Sequence, residues 1–378
     1  MTIKIDHLPS RTVQLDGVEH LFFSGTSYLG IGHQAEFRAA LLDAISRYGT
    51  VFSASRNNNL QLKIYDEAET FLAKWTGADA ALTVTSGLLA GQLAVQSIEN
   101  QPFIYAPSAH PAICKPTAPP QYFFKNQTDF EKNIASKIAQ IGGAVTVATN
   151  ALDPLRCEPF DFSWLAQLPD NQPITVIMDD SHGIGLTGEN GGGIFQKLKK
   201  ELRNRSVANV RLIVIASLAK ALGIPGGVIL SDEKTVAAMR QNALFVGASP
   251  IVPAYLFAFL QTQNMYDTAR QVLKNNILCF KKELSKAAVF ISENEKKGNF
   301  TEGSLFETLA DYPVFFTKQN VLFKFLLQHK ILISSFSYPK PNDPPLTRIV
   351  LSALHSTADI QFLVEKIKAF QQSPDRNF

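Results

Sequence analysis

The stretch IASLAKALGIPGG, residues 215–227, sets a single lysine, Lys220, five residues beyond the end of the apolar run Leu212–Ile215. Gly223, Pro225, Gly226 and Gly227 follow it, and Ser217 stands three residues before it. An amine withdrawn from water loses part of its preference for the charged form, and a neutral amine adds to an aldehyde. Lys220 is therefore a candidate carrier for pyridoxal 5'-phosphate, whose aldehyde bonds lysine.

That cofactor makes three further demands. Its phosphate needs backbone N–H groups at a helix start, together with hydroxyls. The segment TSGLLAG, residues 85–91, reads as strand, turn and helix, so Ser86 and the amides of Gly87 and Leu88 meet this need, with Ser217 adding a hydroxyl. The ring nitrogen needs a carboxylate to stay protonated. VIMDDSHG offers Asp179 and Asp180 at a strand end, and strand alternation points one of them inward. The ring also needs a face to lie against and a donor to its phenolic oxygen. His110 closes IYAPSAH, and His182 lies three residues beyond Asp179.

These residues share an address. Six apolar runs, at 81–87, 102–110, 144–150, 174–180, 212–217 and 226–232, alternate with helical stretches. Runs that are apolar throughout read as strands covered on both faces, which predicts a mainly parallel central sheet flanked by helices. In such sheets ligands sit beyond the carboxyl ends of the strands, where Ser86, His110, Asn150, Asp179, His182, Ser217 and Lys220 fall. An amphipathic helix is expected over 57–76, with Leu60, Ile64, Ala68, Phe71, Leu72 and Trp75 on one face and Gly77 as its stop. From about 250 the texture changes. A helical stretch over 252–290 leads to strands and turns in KGNFTEGSLFETLADYPVFFTKQ, a strand in RIVLSAL and a final helix from Ser356 to Phe370. That last helix opens on a capping-box pattern, Ser356 with Asp359. The division expected is an N-terminal segment, 1–48, a large cofactor-binding domain, 49–250, and a smaller C-terminal α+β domain, 251–378.

At 378 residues, 46% hydrophobic and 18% charged, the chain suits a globular protein with a large core. Its formal charge of +3 and the lack of a dense Lys/Arg block exclude nucleic acid as a partner; KLKKELRNR, from Lys197, reads as a solvated helix face. Cys114, Cys157 and Cys279 follow no metal-ligand spacing, so no metal is expected, and so sparse a set suits a reducing compartment. With no apolar leader, and Lys220 and glycines interrupting the most apolar stretch, the expectation is a cytoplasmic protein without membrane contact.

The order TSG…H…DDSHG…SLAK…G resembles the fold-type-I pyridoxal-phosphate enzymes and, more narrowly, the α-oxoamine synthases. DDSHGIGLTGENGGG and SLAKALGIPGG carry the likeness, which runs from residues 22–32 to 347–360. It implies Lys220 as the Schiff-base lysine, Asp179 as partner of the ring nitrogen, His182 at the phenolic oxygen, His110 over the ring and Ser217 at the phosphate. Ser249 matches a residue that reaches the neighbouring subunit's phosphate, implying a homodimer with shared sites. Arg348 matches the arginine that holds the substrate carboxylate, and Thr26 falls in the substrate-facing segment. The implied reaction joins a small amino acid to an acyl thioester, on coenzyme A or a carrier protein, with loss of CO2. An aminotransferase, a lyase and a non-catalytic cofactor-binding sensor are alternatives on the same scaffold. Departures gather where substrates enter: Thr26-Ser27, Leu60, Tyr65, Asp153-Pro154 and Gly192 each differ from the family's usual residues.

Overall fold

The computed structural model describes residues 3–98, 100–116, 123–153, 155, 158–203, 209–287, 289, 305–306, 311–337 and 342–373. Two strands, β1 (Thr12–Leu15) and β2 (Val18–Phe23), precede helices α1 (Ala35–Tyr48) and α2 (Lys63–Thr76). Next come β3 (Ala80–Val84), α3 (Gly87–Gln96), β4 (Phe103–Tyr105), α4 (Gln127–Ile141), β5 (Val145–Asn150) and β6 (Ile174–Asp179). Helix α5 (Phe195–Arg203) is followed by β7 (Val210–Ser217), β8 (Gly227–Ser231), α6 (Glu233–Arg240), α7 (Ala243–Gly247), α8 (Pro253–Gln261) and α9 (Gln263–Lys286). The chain ends with β9 (Val314–Thr317), α10 (Val321–Gln328), β10 (Ile331–Ser337), β11 (Pro345–Val350) and α11 (Thr357–Gln372).

Two compact units result. One comprises Gln34–Pro154 and Pro159–Tyr266; the other comprises Met1–His33, Leu155–Glu158 and Asp267–Phe378. The first holds a six-stranded sheet in the order β3-β8-β7-β6-β5-β4. Strands β4 to β7 are parallel, whereas β8 runs antiparallel to both β7 and β3. Chain length explains the exception. A parallel return needs a crossover of about a dozen residues or more, and only residues 218–226, with Lys220 among them, join β7 to β8. Every residue of β5, β6 and β8 is buried, as unbroken apolar runs require of strands covered on both faces. Leu82, Ile177, Ile213, Ile215 and Ile229 form the core there with Ala90, Leu93 and Ala94 of α3.

Helix α2 starts at Lys63, six residues later than its apolar periodicity predicts. Asn59 N–H donates to the Asn58 side chain and Asn57 Nδ2 donates to the Arg240 carbonyl, so this Asn-rich segment spends its polar groups on turns. Leu60 is consequently 69% exposed, while Ile64, Ala68 and Leu72 are buried as expected. The helical stretch expected over 252–290 divides into α8 and α9 at Thr262, whose hydroxyl donates to the Ala258 carbonyl.

The second unit is built on a five-stranded sheet, β1-β2-β10-β11-β9. Asp16 and Gly17, both with positive φ, make the tight turn that pairs β1 with β2, and β2 then pairs parallel with β10. Residues 12–23 thus join the sheet of the C-terminal strands rather than standing as a separate segment. Helix α11 has the full capping box of Ser356 and Asp359, and Ile360, Leu363, Val364, Ile367 and Phe370 are buried along it. Most of KGNFTEGSLFET, together with Pro154 and Cys157, lies outside the described residues. Among the described residues no helix is long and apolar enough to cross a membrane.

Candidate active site

Strands β5, β6 and β7 bring Asn150, Asp179 and Ile215 side by side at their carboxyl ends, and β7 runs on to Ser217. Around this edge the larger unit gathers most of the residues that the sequence singles out. Lys220 Nζ and His182 Nε2 are 2.9 Å apart, both on half-buried residues. Asp179 is buried, and its Oδ1 accepts the Ser181 N–H at 2.9 Å. Its Oδ2 lies 3.6 Å from His110 Nδ1. That nitrogen already accepts the Ala112 N–H at 3.2 Å, so the neutral His110 ring carries its proton on Nε2. The approach to Asp179 is therefore electrostatic proximity rather than a hydrogen bond. Burial pulls the His110 pKa below the usual histidine value; Asp179 opposes this shift and Lys220 adds to it.

A second group forms where α3 begins. Ser86 caps the helix, its hydroxyl accepting the Leu89 N–H at 3.1 Å. Gly87 and Leu88 are the first two helical residues, whose amides have no carbonyl a turn earlier to bond. The Gly87 backbone passes so close to β7 that a Cβ there would meet Ser217 Cβ at 2.8 Å and its Cα at 2.9 Å. Gly227 is as tightly constrained, since its Cβ would overlap the Ser86 carbonyl. Glycine at both positions lets the helix start settle against Ser217. Ser217 N–H in turn donates to the Ser181 hydroxyl at 2.8 Å, which ties β7 to the residue between Asp180 and His182.

The two adjacent aspartates divide as alternation predicts. Asp179 faces His110, whereas Asp180 turns into the glycine loop that follows. Its Oδ2 accepts the Ile194 N–H at 2.8 Å, and a Cβ on Gly183 or Gly193 would overlap its carboxyl oxygens. Burial pushes the Asp180 pKa up to about 8, with the negative charge of Asp179 adding to the shift. Asp180 is thus a buried carboxylic acid that closes the loop, not a solvated strand-end charge.

A phosphorylated pyridine aldehyde finds the groups it needs in this unit. There is an amine for the aldehyde, a buried carboxylate for the ring nitrogen and imidazoles for the ring oxygen and face. The helix start with two serines suits the phosphate. Ser249 is exposed on the segment between α7 and α8. Arg348 and Thr26 belong to the other unit. Arg348 is buried on β11, opposite Ser334 and Phe316, and its Nη1 donates to the Leu155 carbonyl at 3.2 Å. Thr26 is half-buried, its carbonyl accepting the Tyr28 N–H at 2.9 Å. Two residues with no role read from the sequence, Asn150 and Ser181, turn out to brace the cluster. Their signal was only position, at a strand end and between two candidates.

Two of the departing positions, Tyr65 and Gly192, have a local account here. The Tyr65 hydroxyl donates to the Ile251 carbonyl at 2.9 Å, and burial pushes its pKa up to about 12. Gly192 has no room for a side chain, since a Cβ would lie 2.6 Å from the Trp75 carbonyl.

Comparisons with known proteins bear on the family and the fold. The aminotransferase class I and II family model matches residues 159–367, more than half of the chain. An 8-amino-7-oxononanoate synthase from Fervidobacterium nodosum is 25% identical over 370 residues, covering 94% of this chain and 89% of that protein. A serine palmitoyltransferase structure from S. paucimobilis with bound PLP–myriocin aldimine has a TM-score of 0.77 at 18% identity, covering 97% of this chain and 92% of that one. The 8-amino-7-oxononanoate synthase structure from Francisella tularensis has a TM-score of 0.67 at 20% identity, covering 93% and 97%. The two structures establish the fold, which is the fold-type-I α/β architecture that the motifs imply.

Proposed function

The chain belongs to the aminotransferase class I and II family, and from that premise we propose that it is a pyridoxal-phosphate-dependent acyltransferase. It joins a small amino acid to an acyl thioester, on coenzyme A or an acyl carrier protein, and loss of CO2 leaves an α-amino ketone. The observation that carries this reading is the meeting of Lys220, His182, His110 and Asp179 at adjacent strand ends, beside the helix start that Ser217 abuts. The acyl-transfer half of the reading is supported by relatives named 8-amino-7-oxononanoate synthase and serine palmitoyltransferase.

When bound, pyridoxal phosphate supplies an aldehyde that exchanges between amines and a ring that accepts the electron pair left at an α-carbon. The protein's part is binding, orientation and proton transfer. The Gly87 and Leu88 amides, with Ser86 and Ser217, hold the phosphate. Asp179 keeps the ring nitrogen protonated, His182 donates to the phenolic oxygen and His110 covers the ring face. Arg348 clamps the substrate carboxylate with its planar fork, and Thr26 belongs to the same subsite. Lys220, as the neutral amine, takes the α-proton and holds it at Nζ, where His182 keeps that atom in place. A histidine N–H, from His182 or His110, polarises the thioester oxygen as the thiol departs. Ser249 serves the phosphate of a neighbouring subunit, which makes the working form a cytoplasmic homodimer.

An aminotransferase or lyase on the same scaffold is the second reading, favoured by the family description itself. Purified protein loaded with pyridoxal phosphate and mixed with alanine, glycine or serine separates the two. The acyltransferase reading expects a change in the cofactor's visible band, followed by thiol release from at least one acyl thioester in a panel. A band change without thiol release from any thioester would overturn it in favour of the second reading.

A further inference from the structure

We propose that Asn150 is a positioning residue for His110, latching the chain on both sides of Ala109 so that the imidazole keeps its place beside Asp179. This rests on the function proposed above for what His110 does, but the latch itself is visible in the fold.

Asn150 ends β5 and is only 3% exposed, whereas the His110 side chain is 40% exposed. Its Oδ1 accepts the His110 N–H at 3.1 Å, and its Nδ2 donates to the Ser108 carbonyl. Both arms of one amide are thus spent on backbone two residues apart. The same span is anchored at its start, since Ala106 N–H donates to the Ala148 carbonyl of β5 and Ala109 N–H to the Ala106 carbonyl. Asn150 is itself fixed from the other side. It pairs in register with Asp179, and the next residue, Ala151, donates its N–H to the Asp179 carbonyl at 2.9 Å. A line of hydrogen bonds therefore runs from the Asp179 backbone through Asn150 and its side chain to His110, and His110 Nδ1 returns to within 3.6 Å of Asp179 Oδ2.

The chemistry demands an amide. A carboxylate would keep the bond from His110 N–H but turn an acceptor toward the Ser108 carbonyl, and an aliphatic group would take a partner from a part-buried N–H and a part-buried C=O. The asparagine amide presents a donor and an acceptor side by side at this reach. The ring proposed to cover the cofactor is 40% exposed, so the buried amide behind it is what fixes the backbone that carries it.

The test compares Asn150→Ala and Asn150→Asp with the wild type in three readouts. Side-chain NMR titration of His110 in the cofactor-free protein should show its pKa rising toward the ordinary value in Asn150→Ala, as the ring gains solvent. Pyridoxal-phosphate affinity should fall about tenfold, with a shifted visible band. The rate kcat should fall about tenfold with the amino-acid KM little changed, because Arg348 is untouched. Asn150→Asp, retaining one of the two bonds, should lie between in cofactor affinity and kcat, while its added negative charge raises the His110 pKa further. Borohydride trapping on Lys220 monitors cofactor attachment in all three proteins. An unchanged His110 titration and band in Asn150→Ala would overturn the latch. Failure of wild type to trap cofactor would sink the proposed function and leave the NMR result to decide the latch alone.

Discussion

The larger unit contains two clusters of similar ingredients and opposite design. One is Lys220, His182, His110 and Asp179 at the strand ends. The other is Arg56, Glu69, Arg240 and Tyr65 around α2. In the second, Arg56 bonds both carboxylate oxygens of Glu69 at 3.0 and 3.2 Å, Arg240 pairs with the same group, and Thr83 closes the set through its N–H and hydroxyl. The Arg56 guanidinium also lies 4.1 Å from the Tyr65 ring centroid. Arg56, Glu69 and Tyr65 are all at least nine-tenths buried. In the first cluster the basic groups are half-buried, and the His110 Nδ1 lies 3.6 Å from the carboxylate of Asp179. Charge density therefore does not mark a site. What marks it is charge held near solvent on backbone that is hydrogen-bonded in place.

The sharpest way to break this comparison is to remove one amine. Lys220→Ala should lower turnover by roughly 10³–10⁴-fold, abolish borohydride-trapped cofactor and leave the unfolding midpoint nearly unchanged. Turnover within tenfold of wild type would remove Lys220 from the chemistry. The mirror experiment is Arg56→Ala, which should cost about 3 kcal/mol in urea denaturation, at the low end for a broken buried pair because Arg240 stays on Glu69. Its kcat per folded molecule should hold, and a kcat loss without a stability loss would merge the two clusters into one.

Strand ends and the glycine loop were legible in the sequence because unbroken apolar runs, an Asp-Asp-Ser-His turn and clustered glycines each have one cheap physical explanation. The fold class followed from the same runs. Less legible was whatever depends on distant pairing. That β2 joins β10 is set by partners more than 300 residues away, and β8 reverses direction only because the loop before it is short. Asn57 to Asn59 looked like a helix because apolar spacing says nothing of side chains that bond turns. Asn150 gave position but no role, since its partners, Ser108 and His110, are brought to it by the β4–β5 pairing.

Asp180 stands between the two designs, buried like Glu69 yet adjacent to Asp179. Its carboxyl holds a proton up to about pH 8 in the folded protein and gives it up near the ordinary carboxylate value when unfolded. Between those values the folded state binds the extra proton, so stability falls as pH rises, by roughly 2 kcal/mol between pH 6 and 8. Asp180→Asn keeps an acceptor for the Ile194 N–H and cannot ionise. Denaturation at several pH values should therefore show the variant gaining on wild type across this window, and parallel curves would mean that Asp180 is charged throughout.

The smallest effect tests how far the structural cluster reaches toward the site. Tyr65 bonds the Ile251 carbonyl, and Ile251 packs so tightly on Gly226 that a Cβ there would overlap its side chain. Gly226 ends the loop that carries Lys220, its carbonyl accepting the Leu218 N–H at 2.9 Å. Tyr65→Phe removes one buried hydroxyl and leaves the Ile251 carbonyl without that donor, which should cost about 1 kcal/mol of stability. If the clusters are independent, cofactor affinity and kcat stay at wild-type values. If Ile251 transmits the loss to the Lys220 loop, affinity weakens by more than the stability change accounts for. Fluorescence titration of cofactor into Tyr65→Phe distinguishes the two. An unchanged affinity is expected, because Gly226 and Gly227 are also held through the β7–β8 pairing of Ser217 with Gly227 and need no help from Tyr65.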